Sequence, residues 1–292
     1  MPERPLIESR AVFRGRQVVA YGHNHSPHGN TRLNQAQMEG FNKEQKHSQF
    51  GKSARKRLRQ YLNNWLDTIR LSRSLLHKKE LKTLSKYTFV TLTLPSAQRH
   101  CDKVIKREIL NAFLIELKRD FNVNNYLWKA EPQTNGNIHF HLITSKYIDA
   151  IELRLIWLFH CERLGYVSEF REKHRSFLPN ATDIHALKSI RDVTAYVSKY
   201  MSKSTPVRPI CGVTYGCSDS LRKLVNMNIS IESKTGENFK VLRDSTSWSL
   251  FQTSHASVYN LTSHWNLNLL GEHAMNEIKS ILESNLVHIS DG

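Results

Sequence analysis

Two histidines separated by one apolar residue, His139 and His141 on either side of Phe140, have the types and spacing of metal ligands. They lie in the segment IHFHLI, whose β-forming residues predict a strand. Because successive side chains of a strand point to opposite faces, both imidazoles share one face and Phe140 takes the other. Two imidazoles side by side on a rigid strand make half of a metal site.

A carboxylate, Glu131, ends the preceding predicted strand, and the turn sequence TNGN joins that strand to the histidine strand. A strict two-residue turn at Asn135 and Gly136 would place Glu131 opposite Phe140, away from the imidazoles. A metal site therefore requires a loop with an odd number of residues or a bulge. Pro132 has no backbone donor, and we expect the irregularity there.

The predicted ligand set combines two imidazoles with one oxygen donor. Such a set with open positions suits Mg²⁺ or Mn²⁺ when a phosphate supplies further oxygens, whereas a closed structural zinc site would use four protein ligands. Gln133 is the alternative to Glu131 as third ligand, because it lies two residues further along the same strand face, although its amide oxygen is neutral.

Two tyrosines four residues apart form a second candidate group. In the segment AYVSKYMSK, Tyr196 and Tyr200 lie one turn apart on a predicted helix, and Lys199 and Lys203 share their stripe. A phenol with a pKa of about 10 is a poor nucleophile at neutral pH, so nearby cations or a metal are needed to favour the phenolate. The alternative is that the two rings only pack.

The elements that must position these residues follow from local patterns. Alternation and helical periodicity predict a strand, a helix, a hairpin, a helix, two strands and a helix, in that order. The last five of these elements are the hairpin around TNGN, the helix DAIELRLIWLFHCERL, the strands YVSEF and TDIHAL, and the helix SIRDVTAYVSKYMSK. Further on, strands are predicted at NISIES and SWSLFQ, and helices near 221–225 and 272–283.

The chain is strongly basic, with a net charge of +16 and a pI near 9.8. Such a charge indicates an extended anionic partner, either nucleic acid or an anionic membrane. No apolar run is long enough to span a bilayer, so we expect a cytoplasmic protein without a membrane span. Sparse cysteines without a CxxC pair are expected to be reduced thiols.

An amphipathic helix is predicted from Ser53, with that serine as its cap. Its first turns carry four cations that either bind phosphates or form a solvated face. These residues are Arg55, Lys56, Arg57 and Arg59.

Together these segments resemble the HUH endonuclease superfamily, and specifically the two-tyrosine rolling-circle replication initiators of small single-stranded DNA phages. The resemblance covers roughly 87–203 and rests on FVTLTLP, EPQTNGNIHFHLI and YVSKYMSK, which occur in the family's order. It implies an α+β fold, a central antiparallel sheet flanked by helices, with the histidine strand in the middle and the tyrosine helix against its metal face. Helical and basic segments would flank this core.

The resemblance also implies roles for the candidate residues. Divalent metal would be held by Glu131, His139 and His141, Tyr196 and Tyr200 would be alternating nucleophiles, and Lys199 or Lys203 would assist the phosphate. The implied reaction nicks single-stranded or melted origin DNA by transesterification, leaving a 5′-phosphotyrosine and a free 3′-hydroxyl that primes a host polymerase. No GxxxxGK[ST] motif is present, so a host helicase would be needed.

This interpretation divides the chain into four segments: a basic, mobile arm (1–50), an amphipathic basic helix (51–80), the nuclease core (81–205) and a C-terminal accessory region (206–292). One alternative is the same chemistry in a transposase or relaxase. The other is a basic DNA-binding protein without catalysis, in which the histidines and tyrosines are structural.

Overall fold

The computed structural model describes residues 7–21, 47–48, 51–75, 87–176, 178–187, 208–233, 248–252, 256–261 and 267–286. The strands in this part of the chain are β1 (Ile7–Phe13), β2 (Gln17–Tyr21), β3 (His47–Ser48), β4 (Tyr87–Thr93), β5 (Tyr126–Pro132), β6 (Ile138–Thr144), β7 (Thr182–Leu187), β8 (Ile210–Cys211), β9 (Tyr215–Cys217), β10 (Met227–Ser233), β11 (Trp248–Gln252) and β12 (Ala256–Leu261). The α-helices are α1 (Lys52–Leu75), α2 (Asp102–Ile105), α3 (Asn111–Phe121), α4 (Ala150–Glu162), α5 (Tyr166–His174), α6 (Asp219–Leu224) and α7 (Glu272–Leu286). A π-helical turn (Lys106–Leu110) joins α2 to α3, and a 3-10 turn (Leu267–Leu270) precedes α7.

The chain divides into two compact units. The first unit takes its described residues from 1–36, 60–82 and 222–292, and the second takes them from 37–59 and 83–221. Each unit contains one five-stranded antiparallel sheet. The α+β fold with an antiparallel sheet and helices is therefore confirmed.

The second unit contains the histidine strand at the centre of its sheet. The strand order is β7-β4-β6-β5-β9, so β6 pairs with β4 on one side and with β5 on the other. One face of this sheet is apolar and carries Phe140 and Leu142 of β6 with Leu92 of β4, all fully buried. Helices α3 and α4 contribute to the same core, for example through Phe113 and Trp157. The opposite face of β6 is left for His139 and His141.

The segment YVSEF forms the start of helix α5 instead of the predicted strand. Gly165, with a φ of 73°, turns the chain out of α4. The Glu162 carboxylate then accepts hydrogen bonds from the backbone N–H groups of Val167 and Ser168. Because a carboxylate at a helix start satisfies free N–H groups and favours the helix dipole, this contact overrides the β-propensity of the segment.

The first unit joins the two ends of the described sequence. Its sheet has the order β10-β1-β2-β12-β11, and helix α7 packs on β10. The prediction of a mobile arm over 1–50 is therefore wrong for residues 7–21, which form β1 and β2. These strands have partners near the other end of the chain, and a local pattern contains no signal for such pairing. Strands β10 and β11 and the helices α6 and α7 confirm the predictions made for those segments.

Helix α1 confirms the predicted amphipathic helix, and its buried apolar side chains in the described part of the chain are Leu58, Leu62, Trp65, Leu66, Ile69 and Leu71. It begins at Lys52, so Ser53 lies inside the first turn and is not its cap. None of the helices in the described residues is both long and apolar enough to cross a bilayer. The four cysteines, which all lie within the described ranges, are free thiols.

Candidate metal centre

The β5–β6 hairpin closes through a three-residue loop, 134–136. The backbone N–H of Gln133 donates to the carbonyl of Asn137 at 2.8 Å, and the N–H of Gly136 donates back to the carbonyl of Gln133 at 2.9 Å. Gly136 has a φ of 86°, the left-handed conformation that the third residue of such a loop requires. The odd loop expected from the sequence is therefore confirmed.

The loop sets which side chains face each other across the hairpin. Glu131 pairs with His139, and Lys129 pairs with His141. Pro132 pairs regularly with Ile138, so the predicted irregularity at Pro132 is wrong, and the turn glycine supplies it instead. All four polar side chains consequently lie on the sheet face opposite the apolar core.

The three candidate ligands are in direct contact. The Glu131 Oε1 lies 2.7 Å from His141 Nε2 and 3.2 Å from His139 Nε2. One nitrogen from each imidazole and one carboxylate oxygen all lie within 4.8 Å of each other. This is the one group of three or more histidine, cysteine or acidic side chains in the described part of the chain with that geometry. Two imidazole nitrogens and a carboxylate oxygen are donors that fit a divalent metal ion, so the group could hold one.

Neighbouring strands fix the orientation of His141. Its Nδ1 lies 3.2 Å from the Oγ1 of Thr91 on β4, and its ring stacks on Phe89 with centroids 5.4 Å apart. The contact at Nδ1 orients the ring so that Nε2, the nitrogen that contacts Glu131, is the one that would face a metal ion. His141 is buried, whereas His139 is partly exposed. The site therefore opens to solvent on the His139 side.

The electrostatic balance of the group favours a charged Glu131 carboxylate beside a neutral His141 imidazole. Burial alone would raise the pKa of Glu131, but its hydrogen bonds with His139, His141 and Lys129 hold that pKa well below the ordinary value. Burial also lowers the pKa of His141, against the opposing effect of the hydrogen bond that its Nε2–H donates to Glu131. An ionised carboxylate and a neutral imidazole are the forms that bind metal.

Lys129 is a residue of this centre that the motif analysis missed. Its Nζ donates to the Oε2 of Glu131 at 2.7 Å, and its side chain is only 8% exposed. The signal was present, because Lys129 lies two positions before Glu131 and must share its strand face. In so basic a chain, however, a single lysine on a strand cannot be told by sequence from the many lysines that are exposed to solvent.

A second polar network holds the turn of this hairpin. Arg208 donates from Nε to the carbonyl of Gly136 at 2.7 Å, and both of its terminal nitrogens contact the carboxylate of Asp102. Gln98 donates to Asp102 and accepts from the backbone N–H of Ile138. The segment that begins at Arg208 is thereby fastened to both the hairpin and the start of α2. We call these contacts the turn clamp.

Asp102 is the anion at the centre of the turn clamp. Its side chain is 2% exposed, and besides Arg208 and Gln98 it accepts the backbone N–H of Cys211 at 2.8 Å. Burial would raise the pKa of Asp102, but these hydrogen bonds and the Arg208 charge hold it below its ordinary value.

The remaining predicted site residues fall into three groups. The predicted nucleophiles and their lysines, Tyr196, Lys199, Tyr200 and Lys203, lie outside the described residues. The predicted DNA contacts lie on the first two turns of α1, where Lys56, Arg57 and Arg59 are exposed and Arg55 is partly buried. Gln133 pairs with Asn137 at the end of the hairpin and stays the alternative third ligand.

A family model described as Replication-associated protein ORF2/G2P matches residues 87–205. No curated protein and no solved structure gives a significant match to the chain. The matched segment runs from β4 through the metal centre and includes both predicted tyrosines. Residues 87–205 are thus similar to a replication-associated ORF2/G2P family, in agreement with the resemblance of the sequence to HUH-type rolling-circle initiators.

The turn clamp generates a stability prediction. Asp102→Asn should lower the free energy of unfolding at neutral pH by about 2–3 kcal/mol, because a charge-assisted pair is replaced by weaker neutral hydrogen bonds. The ionised carboxylate is favoured in the folded state, so its contribution is complete above the ordinary pKa of 3.8 and is lost as the pH falls below it. Urea unfolding at several pH values should therefore show the difference from wild type shrinking below about pH 4.

The matched control is Asp120→Asn, which removes a carboxylate from an exposed pair with Arg119. It should leave the unfolding midpoint unchanged. If Asp102→Asn also left the unfolding midpoint unchanged, the turn clamp would contribute nothing to stability.

Proposed function

We propose that this protein starts rolling-circle replication by nicking single-stranded or melted origin DNA through tyrosine transesterification. The observation that carries the proposal is the contact of Glu131 with His139 and His141 inside a segment that matches a replication-associated family. A replication protein that must cut DNA needs a means of activating one phosphodiester. The metal centre is the one candidate for this in the described residues.

Glu131, His139 and His141 would hold a divalent ion, for which we propose Mg²⁺ or Mn²⁺. When bound, the ion would polarise the phosphodiester and stabilise the charge that develops on its oxygens. The chain's own contribution is orientation. Thr91 and Phe89 hold the ring of His141, and Lys129 holds the carboxylate of Glu131, so the donors converge before any ion arrives.

We assign the nucleophiles to Tyr196 and Tyr200, which lie within the family match. In each cleavage the tyrosine oxygen forms a bond to phosphorus, the bond from phosphorus to the 3′ oxygen breaks, and that oxygen takes a proton to become a free hydroxyl. Lys199 and Lys203 would favour the phenolate and balance the phosphate charge. The phosphotyrosyl product is itself a phosphodiester, so little free energy is lost in the exchange. A later 3′-hydroxyl can therefore reverse the reaction and close a circle.

Two tyrosines suit a reaction that must cut twice. After one round of synthesis the second tyrosine would cut the regenerated site, and the released 3′-hydroxyl would attack the first phosphotyrosine. Strand unwinding and synthesis are assigned to a host helicase and a host polymerase. The cations on the first turns of α1 are proposed to hold the DNA backbone through phosphate contacts.

His139→Ala and His141→Ala should each abolish nicking in Mg²⁺ or Mn²⁺ while leaving the affinity for a single-stranded oligonucleotide nearly unchanged. The reason is that the histidines act on one phosphate, whereas affinity comes from lysines and arginines elsewhere. A fluorescently labelled origin oligonucleotide reports both quantities, by gel shift and by product length. The control is His185→Ala, which removes an exposed histidine from the edge strand β7 of the same sheet. Nicking by His139→Ala in the presence of a chelator would exclude the metal mechanism.

The double variant Tyr196→Phe, Tyr200→Phe should form no covalent protein–DNA adduct, because both nucleophilic hydroxyls are removed. The rings are retained, so any packing role of the two side chains is preserved. Each single variant should still form some adduct in one turnover but should fail to release circular product. We expect the two single variants to differ, since two positions one turn apart on the predicted helix cannot both align with one phosphate. Tyr196 should be the stronger nucleophile, because Lys199 and Tyr200 would lie on the turn that follows it. Adduct formation is read on a denaturing gel, with Tyr147→Phe, an exposed tyrosine, as control.

Adduct in the double variant, mapped to another residue, would overturn the tyrosine assignment. Absence of any adduct with the wild-type protein, together with strong DNA binding, would instead favour a DNA-binding protein without catalysis. A transposase or relaxase would give the same adduct and is distinguished by its DNA target.

Neutralising the α1 cations together should weaken DNA binding and reduce its salt dependence. The four substitutions are Arg55→Gln, Lys56→Gln, Arg57→Gln and Arg59→Gln. For single-stranded DNA the slope of log K against log salt should become shallower by about 0.7 for each phosphate that the variant no longer neutralises. Titrations at several salt concentrations measure it. An unchanged slope would mean that these cations form a solvated face only.

A further inference from the structure

Lys129 is a lysine buried beside a candidate metal centre. Its side chain is 8% exposed and its Nζ lies 2.7 Å from the Oε2 of Glu131, which is itself 16% exposed. Burying an ammonium group is costly unless its charge is paired and hydrogen-bonded. A cation next to a site for another cation also weakens the binding of the second one. The contact with Glu131 offsets the first cost, but the weaker binding of a metal ion calls for a function of this lysine.

The two oxygens of the Glu131 carboxylate are divided between two sets of partners. Oε1 faces the histidines, at 2.7 Å from His141 and 3.2 Å from His139, while Oε2 accepts the hydrogen bond from Lys129. Lys129 and Glu131 lie on one strand, two residues apart, so the sheet holds the donor close to Oε2. A metal ion between the histidines would thus meet one carboxylate oxygen, and the other is occupied.

We propose that Lys129 determines the metal selectivity of this centre by restricting Glu131 to one-oxygen coordination. The inference rests on the proposed metal site and adds the residue by which that site would discriminate against Ca²⁺. Ca²⁺ takes six to eight oxygen ligands and commonly binds a carboxylate through both oxygens, whereas Mg²⁺ takes six ligands at shorter distances. A centre with two imidazoles and a single carboxylate oxygen is therefore matched to Mn²⁺ or Mg²⁺ and poorly matched to Ca²⁺.

The charge of Lys129 acts in the same direction. Its ammonium group offsets the charge of the Glu131 carboxylate that it contacts, and imidazoles bind metal in their neutral form. The centre consequently offers an ion little net negative charge, and the imidazole nitrogens become the decisive ligands. Imidazole is a better ligand for Mn²⁺ than for Ca²⁺, which binds oxygen almost exclusively. Removing the lysine charge would favour both ions, but Ca²⁺ would gain the second oxygen as well.

The test compares the affinities of Mn²⁺ and Ca²⁺ for the full chain without DNA. Free Mn²⁺ is followed by electron paramagnetic resonance, and Ca²⁺ is measured by competition. In Lys129→Met the ratio of the Ca²⁺ to the Mn²⁺ dissociation constant should fall by about tenfold or more, because a second carboxylate oxygen becomes available. Lys129→Arg keeps a charged donor to Oε2 and should retain a ratio near that of the wild type. Lys106→Met, which removes another partly buried lysine that donates to backbone carbonyls, is the matched control and should not change the ratio.

The outcomes separate this inference from the proposed function. The selectivity role would be overturned if Lys129→Met had the wild-type ratio of dissociation constants, or if its affinities for both ions fell by the same factor. Neither result would contradict the proposal that the wild-type protein has a metal centre. Failure of the wild-type chain to bind Mn²⁺ at all would refute the metal centre itself. Circular dichroism checks the fold of each variant. If Lys129→Met does not fold, Lys129→Gln, which removes the charge but keeps a polar side chain, decides the question, with a smaller shift expected in the same direction.

Discussion

The register of the β5–β6 hairpin is the constraint on which the candidate site depends. Because side chains alternate along a strand, a shift of one residue would exchange the two faces of β5 and move Glu131 away from the histidines. The three-residue loop, with Gly136 in the left-handed region, fixes the register that brings Glu131 opposite His139. The same register gives Lys129 its place beside Glu131. One turn therefore determines which side chains form the candidate ligand set and which charges surround it.

The central position of β6 explains how the sheet supports that register. One face of this strand buries Phe140 among the aromatic side chains of α4 and β5, so the strand cannot rotate without exposing its core residues. The opposite face presents the histidines. Pairing with β4 on the other side supplies Thr91 and Phe89, which orient His141. Apolar packing behind the sheet thus provides the rigidity that a preorganised metal centre needs.

The turn clamp connects the hairpin to parts of the chain that are distant in sequence. Arg208 follows the segment of the proposed nucleophiles, and it contacts both the carbonyl of Gly136 and the carboxylate of Asp102. Such an interaction limits the movement of the hairpin turn relative to residue 208, since the arginine is held at several nitrogens at once. Buried, charge-assisted hydrogen bonds are suited to this because they require specific geometry, whereas apolar contacts tolerate sliding.

The sequence by itself determined the elements whose signals are local. The alternation around Phe140 predicted β6 and its two faces, helical periodicity predicted α1 and α4, and hairpin parity required the odd loop that the structure contains. Only the tertiary structure decided features that depend on distant partners. The Glu162 cap turned a β-prone segment into α5, strands from the other end of the chain paired with residues 7–21, and Lys129 acquired its role through burial beside Glu131. Burial, capping and long-range pairing are properties of three-dimensional neighbours, which a local pattern does not contain.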